Sequence, residues 1–269
     1  MEGAVGALAA AGCETGRLDA ELLLAQATGW DRAQIAADPD LRLPLGASRE
    51  FAEMVRRRAR REPVAYILGR KGFRRIELIV DRRVLIPRPE TELLVEVALE
   101  VGAGSVIDVG TGSGAIALAV ADELPESRVV AVDTSMDALR LAQANAERLG
   151  LDDRVDVVSA GIASLPADQS FDLVLANLPY VAAADWEELA PEIREYEPRE
   201  ALVSGPTGLE AIEGLLESVR ALERRPGTVA LEIGASHAEA VSELVRRAGY
   251  AEVETRKDLA GLDRVVVGR

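Results

Sequence analysis

VIDVGTGSGAIALAVADEL, residues 106–124, decides the fold. Residues 106–110 form an apolar run of the length of a buried strand, and residues 114–124 carry apolar side chains at helical spacing. Glycines at 110, 112 and 114 join the two. A strand that passes through a glycine turn into a helix opens a βα unit of a parallel sheet.

Downstream the alternation continues. VVAVD (129–133) reads as a strand, SMDALRLAQANAERLG (135–150) as a helix capped by Ser135, and VDVVSA (155–160) and FDLVLAN (171–177) as further strands. LEAIEGLLESVRALE (209–223) reads as a helix, VALEIG (229–234) as a strand and HAEAVSELVRRAG (237–249) as a helix that His237 starts. AEVETRKD (251–258) and DRVVVGR (263–269) have no helix between them, so they pair as an antiparallel hairpin at the sheet edge. The expectation is an α/β fold, Rossmann-like and mostly parallel with a terminal antiparallel hairpin, the doubly wound variant typical of class I methyltransferases.

Upstream, residues 1–70 read as helical throughout. LDAELLLAQATG (18–29) stops at Gly29, SREFAEMVRRRARREP (48–63) opens on a Ser48 cap and stops before Pro63, and PVAYILG (63–69) is a short apolar piece. FRRIELIVDRRVLIP (73–87) reads as two short strands joined around Asp81 and Arg82, and RPETELLVEVALEVG (88–102) returns to helix. The expected organisation is a small helical domain over 1–70, a hairpin linker over 71–88 and a catalytic domain over 89–269.

Composition narrows the function classes. Hydrophobic residues make up 48% of the 269 and aromatics only 3%, so Ala, Val, Leu and Ile must fill the core. A formal net charge of −15 repels phosphates at long range and speaks against a dedicated nucleic-acid binder. The single cysteine, Cys13, reads as a small apolar residue and fits a reducing cytoplasm. With one His and one Cys the chain offers neither a His/Cys metal site nor a Cys–His nucleophile, and no metal is expected. No stretch has the length and apolar character of a membrane span. The run Arg56, Arg57, Arg58, Arg60 and Arg61 reads as the solvated face of a helix, the sharper alternative being a contact with an acidic partner or RNA.

The chemistry lies in two loops. DVGTGSG (108–114) sets glycines and the amino terminus of a helix against a ligand, which suits either a dinucleotide pyrophosphate or the carboxylate end of S-adenosylmethionine. The next strand ends in Asp133, placed to accept hydrogen bonds from ribose hydroxyls, so the cofactor contains adenosine. The second loop is Asn177-Leu178-Pro179-Tyr180, at the carboxyl end of a strand, where open parallel sheets bind ligands. An amide nitrogen is a poor nucleophile because its lone pair is delocalised. The Asn177 side-chain oxygen and the backbone carbonyl of Leu178 can accept its two N–H bonds and favour electron density on nitrogen. Pro179 stiffens the loop, and Tyr180 offers a face to stack on a planar group. Together the loops read as N-methyl transfer to a planar amide or amino nitrogen. Arg88, Glu90 and Glu92 either line the methionine end of the cofactor or brace the domain junction.

At these residues the chain resembles the release-factor glutamine N5-methyltransferases. The resemblance runs over LDAELLLAQATG (18–29), EPVAYILGRKGF (62–73), VDRRVLIPRPETELLVE (80–96), DVGTGSGAIALA (108–119), FDLVLANLPY (171–180) and EYEPREAL (195–202). It implies a helical domain that engages class 1 peptide chain release factors. It also implies a catalytic domain that methylates the glutamine of their Gly-Gly-Gln motif and leaves S-adenosylhomocysteine. Carried onto this sequence, Asp108, Gly110, Thr111, Gly112, Ser113, Gly114, Asp133, Ile162 and Asn177 would hold the cofactor. Asn177, Leu178, Pro179 and Tyr180 would hold the glutamine. Leu178 stands where the family usually has proline. Gly161 and Ile162 stand where it often has Asp and an aromatic residue. The competing readings are an N6-adenine methyltransferase on nucleic acid, a ribosomal-protein glutamine methyltransferase, a non-catalytic adaptor and, last, an NAD dehydrogenase.

Overall fold

Helices α1 (Glu2–Ala10), α2 (Gly16–Thr28), α3 (Arg32–Ala37), α4 (Leu45–Ala59) and α5 (Val64–Leu68) open the chain in the computed structural model, which describes residues 1–37, 43–161 and 170–269. α2 ends at Gly29 and α5 at Gly69, both with left-handed backbone that stops a helix cleanly. α4 begins three residues before Ser48, with Pro44 at its cap, so Ser48 is an exposed residue inside the helix and not its cap. Leu8, Leu23, Phe51, Met54 and Ile67 form the core of this bundle, with Cys13 buried among them.

The hairpin after α5 is displaced from its expected place. β1 (Arg70–Phe73) pairs with β2 (Ile76–Ile79) around Arg74 and Arg75, while Asp81 and Arg82 lie beyond it in a loop. Arg74 takes the left-handed backbone the turn needs, with φ of 50°, and its guanidinium bonds both oxygens of Glu123. α6 (Glu92–Val101) follows a single 3-10 turn, 89–91.

The remaining elements are β3 (Ser105–Val109), α7 (Ala115–Glu123), β4 (Arg128–Asp133), α8 (Met136–Leu149), β5 (Val155–Ser159), β6 (Leu173–Ala176), α9 (Pro191–Tyr196), α10 (Glu210–Ala221), β7 (Thr228–Glu232), α11 (Ala238–Arg247), β8 (Val253–Lys257) and β9 (Asp263–Gly268). Among the described residues the strands form a seven-stranded sheet in the order β5-β4-β3-β6-β7-β9-β8. β3 to β7 pair in parallel, and β9 runs antiparallel to both β7 and β8. Alternate strand residues such as Ile107, Val132, Val174 and Leu231 pack with Ile212, Leu215 and Val219 of α10 and Val241 and Val245 of α11. Asp108 points to the opposite face, where the backbone N–H of Ala117 in α7 meets it.

By internal contacts the chain divides into two compact units. One comprises residues 1–70 with 190–196, a stretch read from the sequence as part of the catalytic region; the other comprises 71–189 with 197–269. No helix among the described residues is long and apolar enough to cross a membrane.

Candidate active site

The strand order reverses between β3 and β6, because the chain leaves β3 toward β4 and β5 and then returns to β3's other side. Such a reversal opens a crevice at the carboxyl ends of the two strands. Val109 pairs with Ala176, so the glycine loop after β3 and the tetrapeptide after β6 emerge side by side. They share a cavity of about 260 Å³ whose wall takes Gly110, Gly112, Asp133, Ser135, Ala138, Ala160, Asn177, Leu178 and Pro179. Val84 and Leu85 close it from the loop after the hairpin, and Pro198, Glu200 and Ala201 from the segment before α10.

The glycine loop is held from behind. Backbone N–H groups of Gly110 and Thr111 both donate to the Val132 carbonyl, and the Asn145 side chain donates to the carbonyls of Ser113 and Ile79. Gly110 and Gly114 have φ of 78° and 83°, where a side chain would be strained. A Cβ on Gly110 would also lie 3.0 Å from Leu178 Cδ2. Leu178 is 3% exposed; its side chain packs on Gly110 of the glycine loop, and the residue lines the cavity.

Asp133 receives the N–H of Gly112 at 2.9 Å on one carboxylate oxygen and that of Ser135 at 2.9 Å on the other. A carboxylate has about four lone-pair sites, so two remain for hydroxyl groups. Asp108 is fully buried; one oxygen accepts from the Thr111 hydroxyl at 2.6 Å and from Ala117, and burial, aided by the charge of Asp133, pushes its pKa up to about 7. Asp108, Thr111, Ser113 and Gly114 thus shape the loop from behind the cavity wall that Gly110, Gly112 and Asp133 form. Ile162 lies outside the described residues.

The tetrapeptide is anchored by two side chains that the sequence reading did not single out. Asn177 Nδ2 donates to Thr91 Oγ1 at 3.1 Å, and Thr91 Oγ1 donates to Glu232 Oε2 at 2.6 Å. Tyr180 stands beyond the cavity wall, with its hydroxyl 3.4 Å from Glu232 Oε1. The available signal was Glu232 itself, a carboxylate ending an otherwise apolar strand. Arg88 pairs with Glu197, whose other oxygen accepts from the N–H of Ile86, and Glu92 accepts from the N–H of Arg74. Arg88 and Glu92 therefore brace the chain and do not line the cavity. His237 stands at the N-terminal end of α11, half buried and with no side-chain capping bond.

The walls fit an adenosine with an amino-acid tail: an acid at the end of β4, small and apolar residues at Ala138 and Ala160, and a loop whose Gly112 Cα faces open space. A mostly parallel sheet with a terminal hairpin, a glycine loop after β3 and this cavity at the strand reversal define a class I methyltransferase. Residues 1–69 match the model of the PrmC N-terminal domain, and residues 106–196 match that of a methyltransferase domain. The chain is 41% identical over 266 residues to the release factor glutamine methyltransferase of Geobacter sulfurreducens, covering 98% of this chain and 93% of that one. It is 42% identical over 262 residues to that of Caulobacter vibrioides, covering 96% and 91%. The chain belongs to the release factor glutamine methyltransferase family. Among solved structures, the hMettl16 catalytic domain in complex with MAT2A 3′UTR hairpin 6 shares the fold at 18% identity, with a TM-score of 0.62 over 80% of this chain and 81% of that one.

Proposed function

We propose that the enzyme methylates the side-chain amide nitrogen (N5) of the glutamine in the Gly-Gly-Gln motif of class 1 peptide chain release factors, with S-adenosylmethionine as donor. The observation that carries this reading is Asn177 beside the glycine loop, its Nδ2 engaged by Thr91 and its Oδ1 left, among the described residues, for an incoming N–H. Gly110, Gly112 and Asp133 would hold the donor, with Asp133 toward the ribose, while Asp108 keeps the loop in shape. When bound, the donor supplies an electrophilic methyl on its sulfonium. Asn177 Oδ1 and the Leu178 carbonyl accept the two N–H bonds of the glutamine amide and hold its nitrogen for in-line approach, and placement of that kind supplies much of the rate. The N-terminal helical unit engages the release factor, and the enzyme works in the cytoplasm with its substrate.

The test is methyl transfer from S-adenosylmethionine to a purified class 1 release factor, with mass spectrometry to locate the product. One added methyl on the Gly-Gly-Gln glutamine is expected. Asn177→Ala should abolish transfer and leave the affinity for S-adenosylmethionine intact. Tight donor binding with no transfer by the wild type would overturn the substrate and redirect the search to ribosomal-protein glutamine and nucleic-acid amines.

A further inference from the structure

Thr91 and Glu232 lie behind the cavity wall, 3% and 2% exposed, in parts of the chain far from the tetrapeptide. A threonine hydroxyl has one hydrogen to give. Here it goes to Glu232 Oε2 at 2.6 Å, the short distance of a bond to a carboxylate. The Thr91 oxygen can then only accept, and the Asn177 group 3.1 Å away must be the N–H₂ end of its amide. A flipped amide would set two oxygens against each other there and would turn its N–H₂ toward a substrate that also offers N–H. The other oxygen of Glu232 faces the Tyr180 hydroxyl, so one carboxylate reaches both ends of the tetrapeptide.

We propose that Thr91 and Glu232 are positioning residues that fix the orientation of the Asn177 amide, and that the fixing requires Glu232 as a carboxylate. The proposal rests on the function given above. With a proton on Glu232, its O–H can donate a hydrogen bond to the Thr91 oxygen. The Thr91 hydrogen is then free to turn to Asn177, and both amide orientations become allowed. Burial is the main influence on Glu232 and pushes its pKa up to about 7. From the turn before α6, Glu90 pushes the same way; from β9, Arg264 favours the carboxylate, as do the hydrogen bonds from Thr91 and Tyr180. The orientation is therefore lost as the pH falls through about 7.

The test compares wild type, Thr91→Val, Thr91→Ser and Glu232→Gln for kcat on the release factor, for S-adenosylmethionine Kd, and for kcat against pH. Valine keeps the shape and removes the hydroxyl. It should lower kcat about tenfold, the value of roughly one hydrogen bond, with donor Kd unchanged. Serine should restore most of it. Wild-type kcat should rise with pH through about 7, and Glu232→Gln should lose that acid limb. A valine variant as fast as wild type, a serine variant no faster than valine, or an acid limb that survives in Glu232→Gln would each overturn the proposal. Should the valine variant fail to fold, the pH profiles of wild type and Glu232→Gln decide alone. A wild type that transfers no methyl to the release factor removes the proposed function and this proposal together, whereas active, indistinguishable variants remove only the positioning.

Discussion

The carboxyl of Asp108 lies beneath the glycine loop with one oxygen bonded to Thr111 and Ala117 and the other without a partner among the described residues. Its ordinary pKa of 3.8 is raised to about 7, chiefly by burial. The sign of the consequence follows from linkage. A carboxyl whose folded pKa is raised binds its proton more tightly when folded. Its stabilisation is fully present below about pH 4 and is lost as the pH rises through about 7. Asp108→Asn keeps an acceptor for Thr111 and Ala117 and removes the titration. Between pH 4 and 8 the wild type should lose stability relative to this variant, in denaturant midpoints measured at each pH. Glu232 titrates in both proteins and cancels, and parallel curves would show that Asp108 stays charged. The sequence marks Asp108 as special but places it toward the cofactor, because spacing cannot tell a side chain that faces a cavity from one that turns behind it. The Thr91–Glu232 bond was less legible still, joining residues 141 positions apart.

Elements were the most legible scale. The strands and helices of the sheet appear where period and glycine punctuation put them, since burial on both faces of a parallel sheet demands continuous apolar runs. Ends and turns were harder. Ser135 caps α8 as expected, with its side chain accepting from the N–H of Ala138, whereas Ser48 lies within α4. Ser135→Ala should therefore cost about 1 kcal/mol in urea unfolding, whereas Ser48→Ala, at an exposed helix-interior position, should be neutral or stabilise by a few tenths. Equal effects would mean that the Ser135 bond adds nothing beyond its exposure. The hairpin shows the other failure. Asp81 with Arg82 has turn-like composition, but the chain turns at Arg74 and Arg75, which look like neither glycine nor asparagine. The Arg74 ion pair with Glu123 accompanies that left-handed residue, and a partner 49 residues away leaves no local mark.

At the scale of the whole chain, the net charge of −15 makes the arginine run 56–61 look like a basic patch held out to solvent. Most of its charge is already matched within its own unit. Arg56 pairs with Glu53 and Arg57 with Glu62. Arg58 is 6% exposed, with Asp19 at 2.7 Å and Glu192 at 2.9 Å, and Arg61 holds the same Glu192 through two bonds. Arg58 thus corrects the solvated-face reading. Residues 190–196 join the N-terminal unit through Glu192 and through Tyr196, whose hydroxyl donates to the Arg60 carbonyl at 2.7 Å. The unit is built from two separated stretches of chain, and a buried arginine depends on the second. Glu192→Gln should destabilise it by about 2–3 kcal/mol, less than the full cost of orphaning a buried charge because Arg58 keeps Asp19. Hydrogen exchange in α2 and α4 should quicken to match, while the affinity for S-adenosylmethionine holds, because the cavity residues belong to the other unit. Unchanged exchange would mean that Asp19 alone satisfies Arg58. Weakened donor binding would mean that the effect of Glu192 is not confined to the unit that holds it.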